Sequence, residues 1–239
     1  LGNFDLANER LEETIRKKPR EADVSVLDQA MIELMRGRPD QSERLLQGVR
    51  DRFDHLEQRD LAEATMSWLA DDTHRAYEGE DYEKVLIRAF LALSDLMHDG
   101  DDVTAYAFQI NQKQQQIIDA AIDSEGENPK AAYNQVPLGP YLYGVLREAT
   151  HGNYDDAERG YTTVAQWAPD FAAARVDLER ATHGVHSQEG NGVIYVVALV
   201  GRGPYKIEVP QVPTSQAMFV ADRILSLSLI HISEPTRLR

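Results

Sequence analysis

The residues of this chain that could do chemistry are few and scattered. His183 and His186 form an H-x-x-H just after a predicted helix, with Glu189 nearby. A helical H-E-x-x-H would place two imidazoles on one face with a glutamate between them as base. Here that glutamate is missing and Gly184 interrupts the helix, so both imidazoles are expected to be exposed loop side chains. The run D-G-D-D at 99–102 has the composition of a calcium loop without its spacing. Counted from Asp95, the third position is Met97 and the twelfth is Tyr106, where an EF-hand needs oxygen ligands. A solvated turn whose acidic residues cap the next helix accounts for it better. Asp71, Asp72 and His74 would make an acid–base cluster, but A-D-D-T at 70–73 equally marks an exposed turn. Gly201-x-Gly203 lacks the third glycine of a dinucleotide fingerprint and runs into Pro204 rather than a helix. We therefore expect no catalytic residue, no metal ligand and no cofactor.

Composition narrows the classes further. The 239 residues contain no Cys, which excludes disulfides, thiolate-bound zinc, iron–sulfur clusters and a thiol nucleophile. A formal charge of −15 without a basic run argues against a nucleic-acid partner. The longest apolar run, residues 193–200, is too short to span a bilayer. A 42% hydrophobic content suits a packed core rather than a disordered chain.

What would position any binding residues is a repeat. Three segments share a register that starts at Gly2 (G-N-F-D-L-A), Gly37 (G-R-P-D-Q-S) and Gly152 (G-N-Y-D-D-A). Each glycine is followed by Phe4, Pro39 or Tyr154, then by the small residues Ala7, Ser42 and Ala157, then by Leu11, Leu46 and Tyr161. Pro19, Asp54 and Pro169 stand at the far end. This is the pattern of a helical hairpin. Glycine allows a left-handed turn, the small residue lets two helices approach, the large one fills the groove, and proline stops the second helix. The spacing from Gly2 to Gly37 lies close to the period of about 34 residues of tetratricopeptide (TPR) repeats, which the chain resembles here, best over residues 142–169.

Between these segments, residues 82–97 carry apolar side chains at helical spacing, and 103–122 form a second helix with it. Residues 124–140, with three Pro and two Gly, predict a long loop. The polar run Q-K-Q-Q-Q at 112–116 is expected to face solvent or a groove. From Gly190 the pattern changes. Residues 193–200 (V-I-Y-V-V-A-L-V) and 205–209 predict two strands joined by a Gly/Pro turn, and two strands need partners to be stable.

The expected fold is therefore a mainly α protein: an α-solenoid of TPR-like hairpins over 1–186, followed by a short, incomplete β segment at 190–226. Stacked hairpins leave a groove suited to a peptide or protein partner. The side chains expected to line it are Arg88, Tyr143 and Arg147, with Asn111 and Gln115 on the less regular pair. The repeat aromatics, Tyr141 and Tyr161 among them, are expected mainly to pack between helices.

A narrower resemblance is carried by A-Y-E-G-E-D-Y-E-K-V-L (76–86), L-A-L (91–93), G-D-D (100–102), I-N-Q-K (110–113), N-P-K-A-A-Y (128–133), P-Y-L-Y-G (140–144) and G-N-G-V-I-Y-V-V (190–197). Over residues 77–209 the chain resembles an uncharacterised family of bacterial TPR-containing proteins, often lipoproteins of the cell envelope. That resemblance implies a non-catalytic interaction scaffold in the envelope and supplies no catalytic residues. The family's lipid-bearing Cys has no counterpart here, so a lipid anchor would lie on a missing N-terminus. A cytoplasmic regulator, or an accessory part of an enzyme whose catalytic domain lies in a missing C-terminal region, is the alternative. Both ends fit an interior slice. Gly2-Asn3-Phe4 falls in the middle of a repeat unit, and residues 227–237 (L-S-L-I-H-I-S-E-P-T-R) look like a translated sequencing adapter, which makes 227–239 a non-native tail.

Overall fold

The computed structural model describes residues 3–19, 22–63, 77–122, 125–183 and 194–199. The chain divides into two compact units, residues 1–191 and 192–239. The described residues of the first unit form eight helices: α1 (Phe4–Lys17), α2 (Ala22–Met35), α3 (Pro39–Glu63), α4 (Asp81–His98), α5 (Val103–Asp119), α6 (Leu138–Ala149), α7 (Tyr154–Trp167) and α8 (Ala172–His183). Each packs chiefly against the next in sequence, so the helices form a series of adjacent pairs. None of them is long and apolar enough to cross a membrane.

The repeat register reads directly onto the packing. Ser42 and Ala157 are fully buried, as are Leu46 and Tyr161 one turn later. In α1 the corresponding Ala7 and Leu11 are only half-buried. Asn3 caps α1 by accepting a hydrogen bond from the Leu6 amide (3.1 Å). Proline stops α1 and α7 as expected, but Asp54 cannot do so, and α3 runs on for 25 residues. Gly37 takes the left-handed turn between α2 and α3 with φ +73°. At the equivalent turn before α7 the left-handed residue is His151 (φ +53°), not Gly152.

Two regions pack by different means. Between α6 and α7 the contact is glycine on glycine. A Cβ on Gly160 would lie 2.7 Å from the Pro140 carbonyl oxygen and 2.9 Å from the Gly144 nitrogen, and one on Gly144 would meet the Tyr161 ring at 2.8 Å. The Tyr161 hydroxyl donates to Glu148 (2.8 Å), which also accepts two hydrogen bonds from Arg180 of α8 (2.7 Å each). Between α3, α4 and α5 an apolar layer built on Leu46, Val49, Phe53, Leu91, Ala92 and Ile110 is bordered by charge. Arg88 grips Asp54 through both carboxylate oxygens (2.8 and 2.6 Å), Lys113 contacts Asp54 (3.4 Å) and Glu57, and Lys84 lies 3.7 Å from Glu57. Lys84, Arg88 and Lys113 are all buried, a placement that charged side chains accept only when paired.

Three expectations need correction. Residues 124–140 are not all loop, because α6 begins at Leu138. The preceding connection is stapled in place: Gln114 accepts a hydrogen bond from the Val136 amide and donates to its carbonyl (3.4 Å), Asn128 donates to the Ile118 carbonyl (2.9 Å), and Lys130 pairs with Asp81 (2.5 Å). Gln114 and Lys113 are thus buried within a run expected to be wholly solvated or groove-lining, and only Gln112, Gln115 and Gln116 face solvent. The β segment is not formed where it is described. Residues 194–199 adopt neither strand nor helix, and Ile194 and Val196 are almost fully exposed. A β-branched run supplies strand propensity, but propensity alone does not make a strand. The predicted strand at 205–209, the 227–239 tail, the Asp71–Asp72–His74 cluster and His186 lie outside the described residues.

Candidate protein-binding face

The side chains expected to bind a partner separate into two places. Arg88 is not on a groove. It is 6% exposed and held by Asp54 and by the Lys84 carbonyl oxygen (2.8 Å), so it belongs to the seam between α3 and α4. Its position on α4 looked like that of an outward-facing cation because the partner, Asp54, is remote in sequence.

The other four gather where α5 meets α6. Tyr143 and Arg147 stand one turn apart on α6, and the Arg147 guanidinium carbon lies 5.0 Å from the Tyr143 ring centroid. The far side of that ring meets Phe108 of α5, with centroids 4.9 Å apart and planes tilted by 52°. Phe108 stays 51% exposed, an unusual position for a large apolar ring. Asn111 and Gln115 follow Phe108 at i+3 and i+7, which puts them on the same stripe of α5. Gln115 is exposed and donates to Asp119 (2.7 Å). Asn111 sits at the helix crossing itself, where a Cβ on Gly139 would lie 2.6 Å from its Oδ1.

This arrangement follows from local sequence. Gly139 lets the start of α6 approach the α5 backbone to within reach of the Ala107 carbonyl oxygen. From that crossing, α6 carries Tyr143 and Arg147 outward at successive turns, while Leu142 and Glu148 point inward. Two polar atoms at the seam, Asn111 Oδ1 and Arg147 Nε, are buried without a hydrogen-bond partner. Phe108 was the residue that sequence reasoning missed. The available signal was an aromatic ring heading the otherwise polar stripe 108–111–115.

The face holds an aromatic pair, a cation and two amides, but no nucleophile beside a base. It can bind an extended chain through stacking, a salt bridge and amide hydrogen bonds. Of the two histidines weighed as metal ligands, His183 is exposed and its ring nitrogen lies 2.9 Å from the Glu179 carbonyl oxygen of its own helix. Among the described residues, Glu43, Asp95 and Asp102 bring a carboxylate oxygen each to within 4.8 Å of one another where α3 meets the α4–α5 turn. Comparison with known proteins found no matching family model, no similar curated protein and no similar solved structure.

Proposed function

We propose that this chain is a non-catalytic protein–protein interaction scaffold, a TPR-like α-solenoid that binds a peptide segment of a partner across the α5–α6 face. The observation that carries the reading is the half-exposed stack of Phe108, Tyr143 and Arg147. An exposed aromatic pair capped by a cation matches the composition of interface anchors, in which Tyr and Arg are enriched. The ligand that suits it is an extended peptide with an apolar or aromatic side chain to lie on Phe108 and a carboxylate for Arg147. Asn111 and Gln115 supply amides alongside for the peptide backbone. The pairwise helix packing and the buried repeat positions support the TPR-like form. Placement in the bacterial cell envelope rests on the family resemblance of residues 77–209.

The test is selection of binding peptides from a displayed library against the full chain, followed by affinity measurement on substituted proteins. Phe108→Ala combined with Arg147→Ala is expected to weaken the selected peptides at least tenfold. Met35→Ala, exposed on α2, is expected to leave them unchanged. Selected peptides that bind the double variant as tightly as the parent, or a library that yields no binder, would overturn the proposal.

A further inference from the structure

We propose that Glu43, Asp95 and Asp102 form a site for one hard divalent cation, Ca²⁺ foremost, that ties α3 to the α4–α5 turn. One carboxylate oxygen from each of the three lies within 4.8 Å of the others. A Ca²⁺ ion takes oxygens at about 2.3–2.6 Å, so ligands on its opposite sides stand about 5 Å apart and a single ion reaches all three. Mg²⁺, at about 2.0–2.1 Å, requires a tighter set.

Proximity of acidic groups is common and proves little, but Asp95 adds a second observation. It is 2% exposed, in the last turn of α4, and its Oδ2 is buried without any hydrogen-bond partner. An orphaned carboxylate oxygen in such a place costs free energy unless a proton, a water or a cation meets it. The other ligands are held ready. Glu43 accepts hydrogen bonds from the Tyr106 hydroxyl (2.7 Å) and from Gln47 (3.1 Å), which fix its carboxylate as outer-shell partners fix a metal ligand. The Gly100 amide donates to the Asp95 carbonyl oxygen (2.9 Å), which folds the turn that carries Asp102 back on the end of α4. The three face a cavity of about 400 Å³ whose wall also carries Asp40, Asp99 and Asp101. The basic side chains on that wall are engaged: Arg44 pairs with Asp40, and the His98 ring nitrogen lies 3.2 Å from Asp99. The exposed side of Asp102 leaves room for coordinating water. Spacing along the chain hides such a site, since its residues come from two helices and the turn before a third and form no loop motif.

Tyr106 offers a direct probe, because its hydroxyl sits on one ligand. Tb³⁺ added to the chelator-stripped full chain is expected to bind one to one, to luminesce on tyrosine excitation and to be displaced by Ca²⁺. Tyr106→Phe should lose most of that luminescence while Ca²⁺ binding, followed by calorimetry, persists. Asp95→Asn and Asp102→Asn should each weaken Ca²⁺ binding at least tenfold. Asp102 is exposed, so its substitution decides the question even if Asp95→Asn does not fold. Absence of saturable binding at millimolar Ca²⁺ would mean that Asp95 holds a proton or a water instead. Binding that ignores both substitutions would mean that ions collect elsewhere on an acidic surface. Either result overturns the proposal.

Discussion

Between α6 and α7 the helices touch through glycine backbone; between α3, α4 and α5 they touch through charged side chains at the edge of an apolar layer. The first contact depends on small size. Gly144 and Gly160 remove the Cβ atoms that would hold the helices apart, and Tyr161 fills the space beside them. The second depends on pairing. Lys84, Arg88 and Lys113 are buried because Asp54 and Glu57 reach them from α3. A size-limited contact tolerates polarity changes at its rim and fails when a methyl group is added. A pairing-limited contact tolerates changes of shape and fails when one charge is removed. The two halves should therefore respond to opposite kinds of substitution.

The largest effect is expected from breaking the pairing. Arg88→Ala leaves Asp54 without its bidentate partner and Lys113 with a redistributed charge, and should cost about 3–5 kcal/mol in denaturant unfolding. A loss below about 1 kcal/mol would show that solvent reaches this seam and that the comparison is overdrawn. Next comes Asp95, at the other end of the same layer. Burial pushes its carboxyl up to about 6. In cation-free buffer the folded state therefore keeps a proton that the unfolded state, with an ordinary Asp value near 3.8, has already released. Stability from this group is lost as pH rises from about 4 to about 6. Asp95→Asn removes that loss, so its stability relative to the parent should climb by about 2–3 kcal/mol across the window, read from unfolding midpoints at each pH. A flat difference would contradict the burial argument. Gly160→Ala comes third. Its methyl group meets backbone rather than a flexible side chain, and about 1–3 kcal/mol of destabilisation is expected. Removal of a charge, as in Arg159→Gln on the exposed side of α7, should cost under about 0.5 kcal/mol by the same assay. Between Gly160→Ala and that surface change in size stands the α5–α6 connection. Gln114→Ala removes the staple to Val136 and should cost about 1 kcal/mol. Limited proteolysis within 120–137 would register it as faster cleavage.

How far the sequence foretold these regions follows the same division. In α7 the small and large positions of the register, Ala157 and Tyr161, were read from spacing and are buried, because steric packing leaves a periodic trace. In α4 and α5 the spacing located the helices to within a few residues, yet Arg88 was expected in a partner groove and Lys113 at solvent or a groove. Their burial depends on Asp54 and Glu57, and an ion pair between distant residues leaves no periodic mark. The binding face was half legible. Tyr143 and Arg147 announce themselves at i and i+4, whereas Phe108 gains its meaning only once Gly139 brings α6 against α5. The acidic trio was the least legible. D-G-D-D was tested against a loop pattern, but the ligand set draws one residue from that run and two from helices elsewhere. The strand at 193–200 failed for a different reason. Propensity describes a residue's preference once a neighbouring strand exists, and the described residues contain no strand.

The pairing of each helix chiefly with its neighbour in sequence carries a kinetic consequence. Short separations between contacting residues keep the loop-closure entropy of each step small, and proteins built this way fold early and quickly. A hairpin such as α2–α3 can close as soon as it has been synthesised, and α4 then adds to the exposed side of α3. Most of this helical series can thus assemble in the order in which the ribosome releases it, each new helix finding its seat already built.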